Sequence, residues 1–90
     1  PEALVAAVAA TGPARVYVHI DIDVLDPSVV TGVSLPVPFG PDAGEVTTAV
    51  RALRDRFPLV GATIAGFSPA AADAAIEDMP TILRLLGALA

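Results

Sequence analysis

The chain has no cysteine, no lysine and no long hydrophobic run, and each absence closes off a class of function. Without cysteine there are no disulfide frameworks and no thiolate metal sites, a composition compatible with a reducing compartment. Without lysine, the five basic residues are all arginine and face ten acidic ones, for a net charge of −5. No basic stripe remains to neutralise phosphates, so nucleic acid is not expected as a partner. No apolar stretch approaches the roughly 18 residues of a membrane span. Glu2 ahead of Leu4–Ala10 also lacks the basic start of a signal peptide. The expectation is a soluble, cytoplasmic chain without a membrane partner.

What is present is apolar. Of 90 residues, 54% are hydrophobic and 17% charged, with a mean hydropathy of +0.71. A chain this short leaves a large share of its surface in water, so such a balance implies further protein to cover it. We expect part of a larger domain or an obligate homo-oligomer, and the start at Pro1 rather than Met agrees.

The pattern along the chain alternates helix and strand. Residues 2–10 suit an alanine-rich helix stopped by Thr11-Gly12-Pro13. A strand follows over about 15–23. Residues 26–41 carry four prolines and two glycines, which predicts a long ordered loop, and loops of that length in compact domains are usually functional. A helix fits 42–56, with Asp42 as N-cap, Val46, Val50 and Leu53 as its apolar stripe, and Arg51, Arg54 and Arg56 outward. Pro58 ends it. The nearly all-apolar strand 59–67 reads as one of a parallel sheet. A last helix over 80–88 would bury Ile82, Leu83, Leu85 and Leu86, with Glu77 and Asp78 as charges near its start. This order is a βαβ unit with flanking helices, an α/β fold with a parallel sheet. Ligands of such sheets bind beyond the carboxyl ends of the strands, where Asp21, Asp23, the long loop and Ser68 would lie.

The segment His19-Ile20-Asp21-Ile22-Asp23-Val24-Leu25-Asp26-Pro27 is the most informative. Read as strand, it puts Val16, Val18, Ile20, Ile22 and Val24 on one face and Tyr17, His19, Asp21 and Asp23 on the other. Two carboxylates a few ångströms apart in apolar surroundings need a compensating cation, and a metal ion held by Asp21 and Asp23 supplies one. Their other reading is a strand-end pair capping a turn in water. His19 reads as a hydrogen-bonded strand residue, an extra ligand or a proton carrier, and Ser68 as a turn residue or a substrate contact.

From His19 through the following loop, the chain resembles the ureohydrolase family of arginase, agmatinase and formimidoglutamase. In that family a strand ends in Ser/Thr-x-Asp-x-Asp, followed at fixed spacing by Pro, by Pro with a small residue, and by Gly. Asp21, Asp23, Pro27, Gly32 and Gly40 fall at those spacings. Thr31-Gly32-Val33-Ser34-Leu35-Pro36-Val37-Pro38 is similar to the family's Thr-Gly-Thr-Pro loop, and Ala65-Gly66-Phe67-Ser68-Pro69 to its Pro-bearing turn. The resemblance implies a three-layer α/β/α fold with a parallel sheet, residues 1–90 being the C-terminal portion of a single domain. It further implies two Mn²⁺ ions, with Asp21 bridging both and Asp23 a ligand of one, and hydrolysis of a C–N bond in a small guanidino or amidino substrate. Asp26 is not a ligand in that scheme; with Pro27 it fixes a turn.

Three positions depart from the pattern. His19 stands where the family has Ser or Thr, Thr31 where it has Pro, and Gly66 where it has the Glu that holds the guanidinium. The family's remaining ligands, in His-rich and Asp-x-His-x-Asp motifs, are absent, so these residues alone are expected to be inactive. Two alternatives stay open: a non-catalytic subunit or truncated paralogue of the same fold, and a haloacid-dehalogenase-like phosphatase, which also places Asp-x-Asp after an apolar strand. Against the latter, Leu25 stands where that pattern wants Thr or Val, and no lysine is present to balance phosphate.

Overall fold

The computed structural model describes residues 1–34, 36 and 38–90. Leu35 and Val37, within the Thr31–Pro38 loop compared above, lie outside the described residues. The elements are α1 (Glu2–Ala9), β1 (Val16–Asp21), a 3₁₀ turn (Ile22–Val24), α2 (Ala43–Arg56), β2 (Leu59–Ala65) and α3 (Ala72–Leu89).

Local chemistry accounts for most of these limits. Beyond α1 the chain turns through Gly12, whose φ of +72 suits glycine. Asp42 begins α2 with a capping box: its carboxylate accepts from Glu45 N–H at 2.7 Å, and the Glu45 carboxylate accepts from Asp42 N–H at 3.3 Å. At the far end Phe57 is extended (φ −128, ψ 140), the conformation that the following Pro58 imposes.

β1 and β2 pair in parallel, from Val16 opposite Leu59 to Asp21 opposite Ala65, with one irregularity after Val16. The helical crossover between them is the expected βαβ connection. Ile20, with Val18 and Ile64 partly buried beside it, packs against Val50 of α2, Leu85 and Ala88 of α3, and Ile22, Leu25 and Val30 of the segment after β1. Since α2 and α3 also touch each other, the sheet and these helices form two of the three layers. Tyr17, 60% exposed, marks the other sheet face, where its hydroxyl bonds Thr63 Oγ1.

Two boundaries differ from the sequence expectation. The strand stops at Asp21 rather than Asp23, because the Asp21 carboxylate accepts the Asp23 N–H and turns the backbone into a 3₁₀ helix. Alternation is lost there: Ile22 and Leu25 are buried while Val24 is 48% exposed, so Val24 leaves the apolar row and Asp23 leaves the strand face of Asp21. The last helix begins at Ala72, and Pro80 lies inside it rather than at its start. Proline there forgoes a bond to the carbonyl of Ile76, a residue on the exposed side of α3. Of the expected buried row, Leu85 is buried together with Ala88, whereas Leu83 and Leu86 are exposed.

Candidate metal centre

The sheet delivers Asp21 to its carboxyl end as the last residue of β1, and the 3₁₀ turn brings Asp23 beside it, both half-buried. Asp21 Oδ1 accepts from Asp23 N–H at 3.3 Å. The Asp23 carboxyl is held above its ordinary pKa, first by loss of water, then by its hydrogen bond with Asp21 and by that group's negative charge. Every one of these influences pushes upward, the electrostatic condition that a bound cation relieves.

Gly66, just past β2, supports Asp21 closely. Its φ is +81, and a Cβ there would overlap Asp21 Oδ1. A side chain at residue 66 would therefore displace the Asp21 carboxylate from its present position. His19 shares the Asp21 face of β1 and is exposed. A cavity of about 500 Å³ beside β1 is lined by His19, Asp21 and Glu45 among apolar residues such as Leu4, Val18 and Val46.

The loop after the turn is fastened by two further aspartates. Asp26 accepts from Ser28 N–H (2.9 Å), Ser28 Oγ (2.7 Å) and Phe39 N–H (2.8 Å). These bonds, Ser28's first, pull its pKa below the ordinary value. It thus fixes the turn, as the sequence suggested. Gly40 lets the loop return beneath it, since a Cβ there would overlap the Val24 carbonyl and lie 3.0 Å from Asp26 N.

Asp78 was expected near a helix start, yet it lies within α3 and is buried, bonded to Thr31 and Gly32. Its signal was readable in spacing: Asp78 stands seven residues before Leu85, on the same helix face, once α3 is extended through Pro80. Arg54 also departs from the outward reading, donating to the carbonyls of Ala88 (2.7 Å) and Ala90 (3.1 Å) at the end of α3. Arg51 and Arg56 are exposed as expected. Ser68 is exposed, and its N–H donates to Gly32 O. Among the described residues no three His, Cys, Asp or Glu side chains gather as a metal cage; Asp21 and Asp23 form a pair only.

The arginase family model matches residues 2–83. The chain belongs to the arginase family. This membership favours the ureohydrolase reading over the dehalogenase-like phosphatase. Among solved arginase-family relatives, the chain is 27% identical to a hypothetical agmatinase from Burkholderia thailandensis, with a TM-score of 0.69 over 97% of this chain and 29% of that one. It is 30% identical to the proclavaminate amidino hydrolase of Streptomyces clavuligerus, with a TM-score of 0.65 over 93% and 29% of the two chains. Entamoeba histolytica arginase, in complex with L-ornithine, shares the fold at 18% identity, with a TM-score of 0.79 over 98% and 30%. The chain therefore spans less than a third of the length of these structures. No curated protein sequence matches it.

Proposed function

We propose that these residues belong to a Mn²⁺-dependent hydrolase of C–N bonds in linear amidines or guanidines, with Asp21 and Asp23 among the residues that would hold the metal. The observation that carries the reading is the carboxylate pair at the end of a parallel strand, inside an arginase-family match, with Asp23's pKa raised by burial and by its neighbour. The donor set fits the metal: hard carboxylate oxygens suit Mn²⁺. When bound, the metal pair supplies Lewis acidity and brings the pKa of water toward neutrality.

The chain's own residues do the rest of what can be assigned here. Asp21 and Asp23 provide negative charge at a fixed separation from the sheet. Gly66 provides close support under Asp21 but no carboxylate, so a cationic guanidinium finds no partner at that position. Two side chains do not complete a binuclear site, and the 90 residues alone are inactive in this reading. Gly66 also favours a second reading, a family member that has kept its fold and lost its turnover.

Metal analysis of the intact protein beside its Asp21→Ala/Asp23→Ala variant decides between them, together with assays on guanidino and amidino compounds. About two Mn²⁺ per chain, lost in the variant, and turnover of such a compound are the expected results. Metal without turnover on any of them would leave the non-catalytic reading, and no metal in either protein would refute both aspartate assignments. Turnover by residues 1–90 alone would contradict the incomplete site.

A further inference from the structure

Asp78 is the one buried carboxylate among the described residues, 2% exposed, and the proposed chemistry does not use it. Midway along α3, its Oδ1 accepts from Thr31 N–H at 3.0 Å and its Oδ2 from Gly32 N–H at 2.8 Å. The Thr31 hydroxyl lies 3.3 and 3.1 Å from the same two oxygens. One turn further on, Thr81 Oγ1 donates to the Val29 carbonyl at 3.3 Å. From the opposite side, Ser68 N–H donates to the Gly32 carbonyl at 2.6 Å. Gly32 has no room for a side chain: a Cβ would lie 2.6 Å from the Phe67 ring and 2.9 Å from Asp78 Oδ2.

A buried carboxylate without cation or donors would be expensive. Asp78 instead satisfies its charge with backbone N–H groups, and hydrogen bonds to an ionised group are the strong kind. The contacts form a continuous path. Asp78 holds Gly32, Gly32 lies against Phe67, and the residue before Phe67 is Gly66, which supports Asp21. Loop, β2–α3 turn and carboxylate pair are thus linked through close contacts rather than through solvent.

We propose that Asp78 is a positioning residue: it clamps Thr31 and Gly32 to α3, beside the β2–α3 turn that Ser68 ties to Gly32, and so fixes the wall beside Asp21 and Asp23. The clamp stands on its own geometry; its effect on Mn²⁺ rests on the proposed function above. Asp78→Asn keeps one carbonyl oxygen but turns an NH₂ donor toward a backbone N–H. In the intact protein this variant is expected to speed amide hydrogen exchange at Thr31 and Gly32 at least about tenfold, with α2 unchanged. Mn²⁺ affinity, measured by titration, should fall by up to about tenfold, the low end of the effect of losing a direct partner of a metal ligand, since Asp78 acts through Gly32, Phe67 and Gly66. Thr31→Val removes only the hydroxyl and should act in the same direction more weakly, which keeps the test available should the Asp78 variant fail to fold.

Unchanged exchange at Thr31 and Gly32, or acceleration spread evenly over β1, β2 and α2, would overturn the clamp. Faster exchange in the loop with unaltered Mn²⁺ affinity would overturn the positioning role. A wild-type protein that takes up no Mn²⁺ would sink the metal reading alone, since the exchange pattern still supports or overturns the clamp.

Discussion

Gly66→Ala is the substitution that most directly probes the floor of the site. Two costs add at this position. The backbone holds φ at +81, and a left-handed residue with a Cβ costs about 1–2 kcal/mol. The Cβ would also overlap Asp21 Oδ1, so the carboxylate must move and give up its bond to Asp23 N–H, worth roughly 1 kcal/mol. A loss of about 2–4 kcal/mol is expected from the two together. The chain contains its own control. Gly12 has a similar φ of +72, but a Cβ there meets nothing within 4 Å, so Gly12→Ala measures backbone strain without the collision. Urea unfolding of the chelator-treated intact protein gives both values, and Asp21→Ala combined with Gly66→Ala completes a double-mutant cycle. The double variant should recover about 1 kcal/mol or more relative to the sum of the singles. If Gly66→Ala costs no more than Gly12→Ala, or if the cycle shows no coupling, the close support of Asp21 by residue 66 is refuted.

Two further perturbations test the loop and the core. Because Asp26's folded pKa is depressed, its contribution to stability is fully present above the ordinary carboxylate pKa and is lost as pH falls through the folded value. Asp26→Asn should therefore be less stable than wild type at neutral pH, and the gap should close on acidification; equal acid legs in pH-dependent unfolding would contradict the turn role. Leu85 is wholly buried between α3 and the strands, and Leu85→Ala should cost about 2–5 kcal/mol in denaturant unfolding, whereas a loss below about 1 kcal/mol would mean that this core is not closely packed.

Much of the architecture was legible where one residue type dictates one conformation. Asp42 announced a helix start, Pro58 its end, and the apolar runs around Ile20 and Ile64 a parallel pair. The aspartate spacing alone points to the family. The failures share a physical cause, competition between local and tertiary preferences. Strand alternation on its own runs through Asp23, although an aspartate can bond the N–H two residues on and bend the chain. Pro80 reads as a boundary because proline usually is one; here it is tolerated within a helix whose other face is buried. Asp78 reads as a helix-start charge and Arg54 as part of an outward helix face, since sequence alone does not show that each has backbone partners more than thirty residues away. Gly66 was legible as a missing carboxylate but not as a close support for Asp21.

The register of the sheet also bears on the order in which the molecule assembles. Every paired position in β1 is more than forty residues from its partner in β2, so pairing must close a long loop before any ladder bond rewards it. Helix α2, by contrast, carries its capping box within four consecutive residues and draws on neighbours alone. Contact range alone therefore favours α2 forming before the strands pair, with Asp21 and Asp23 expected to settle beside the loop once the distant strand has docked. The carboxyl end of the sheet is therefore expected to form late.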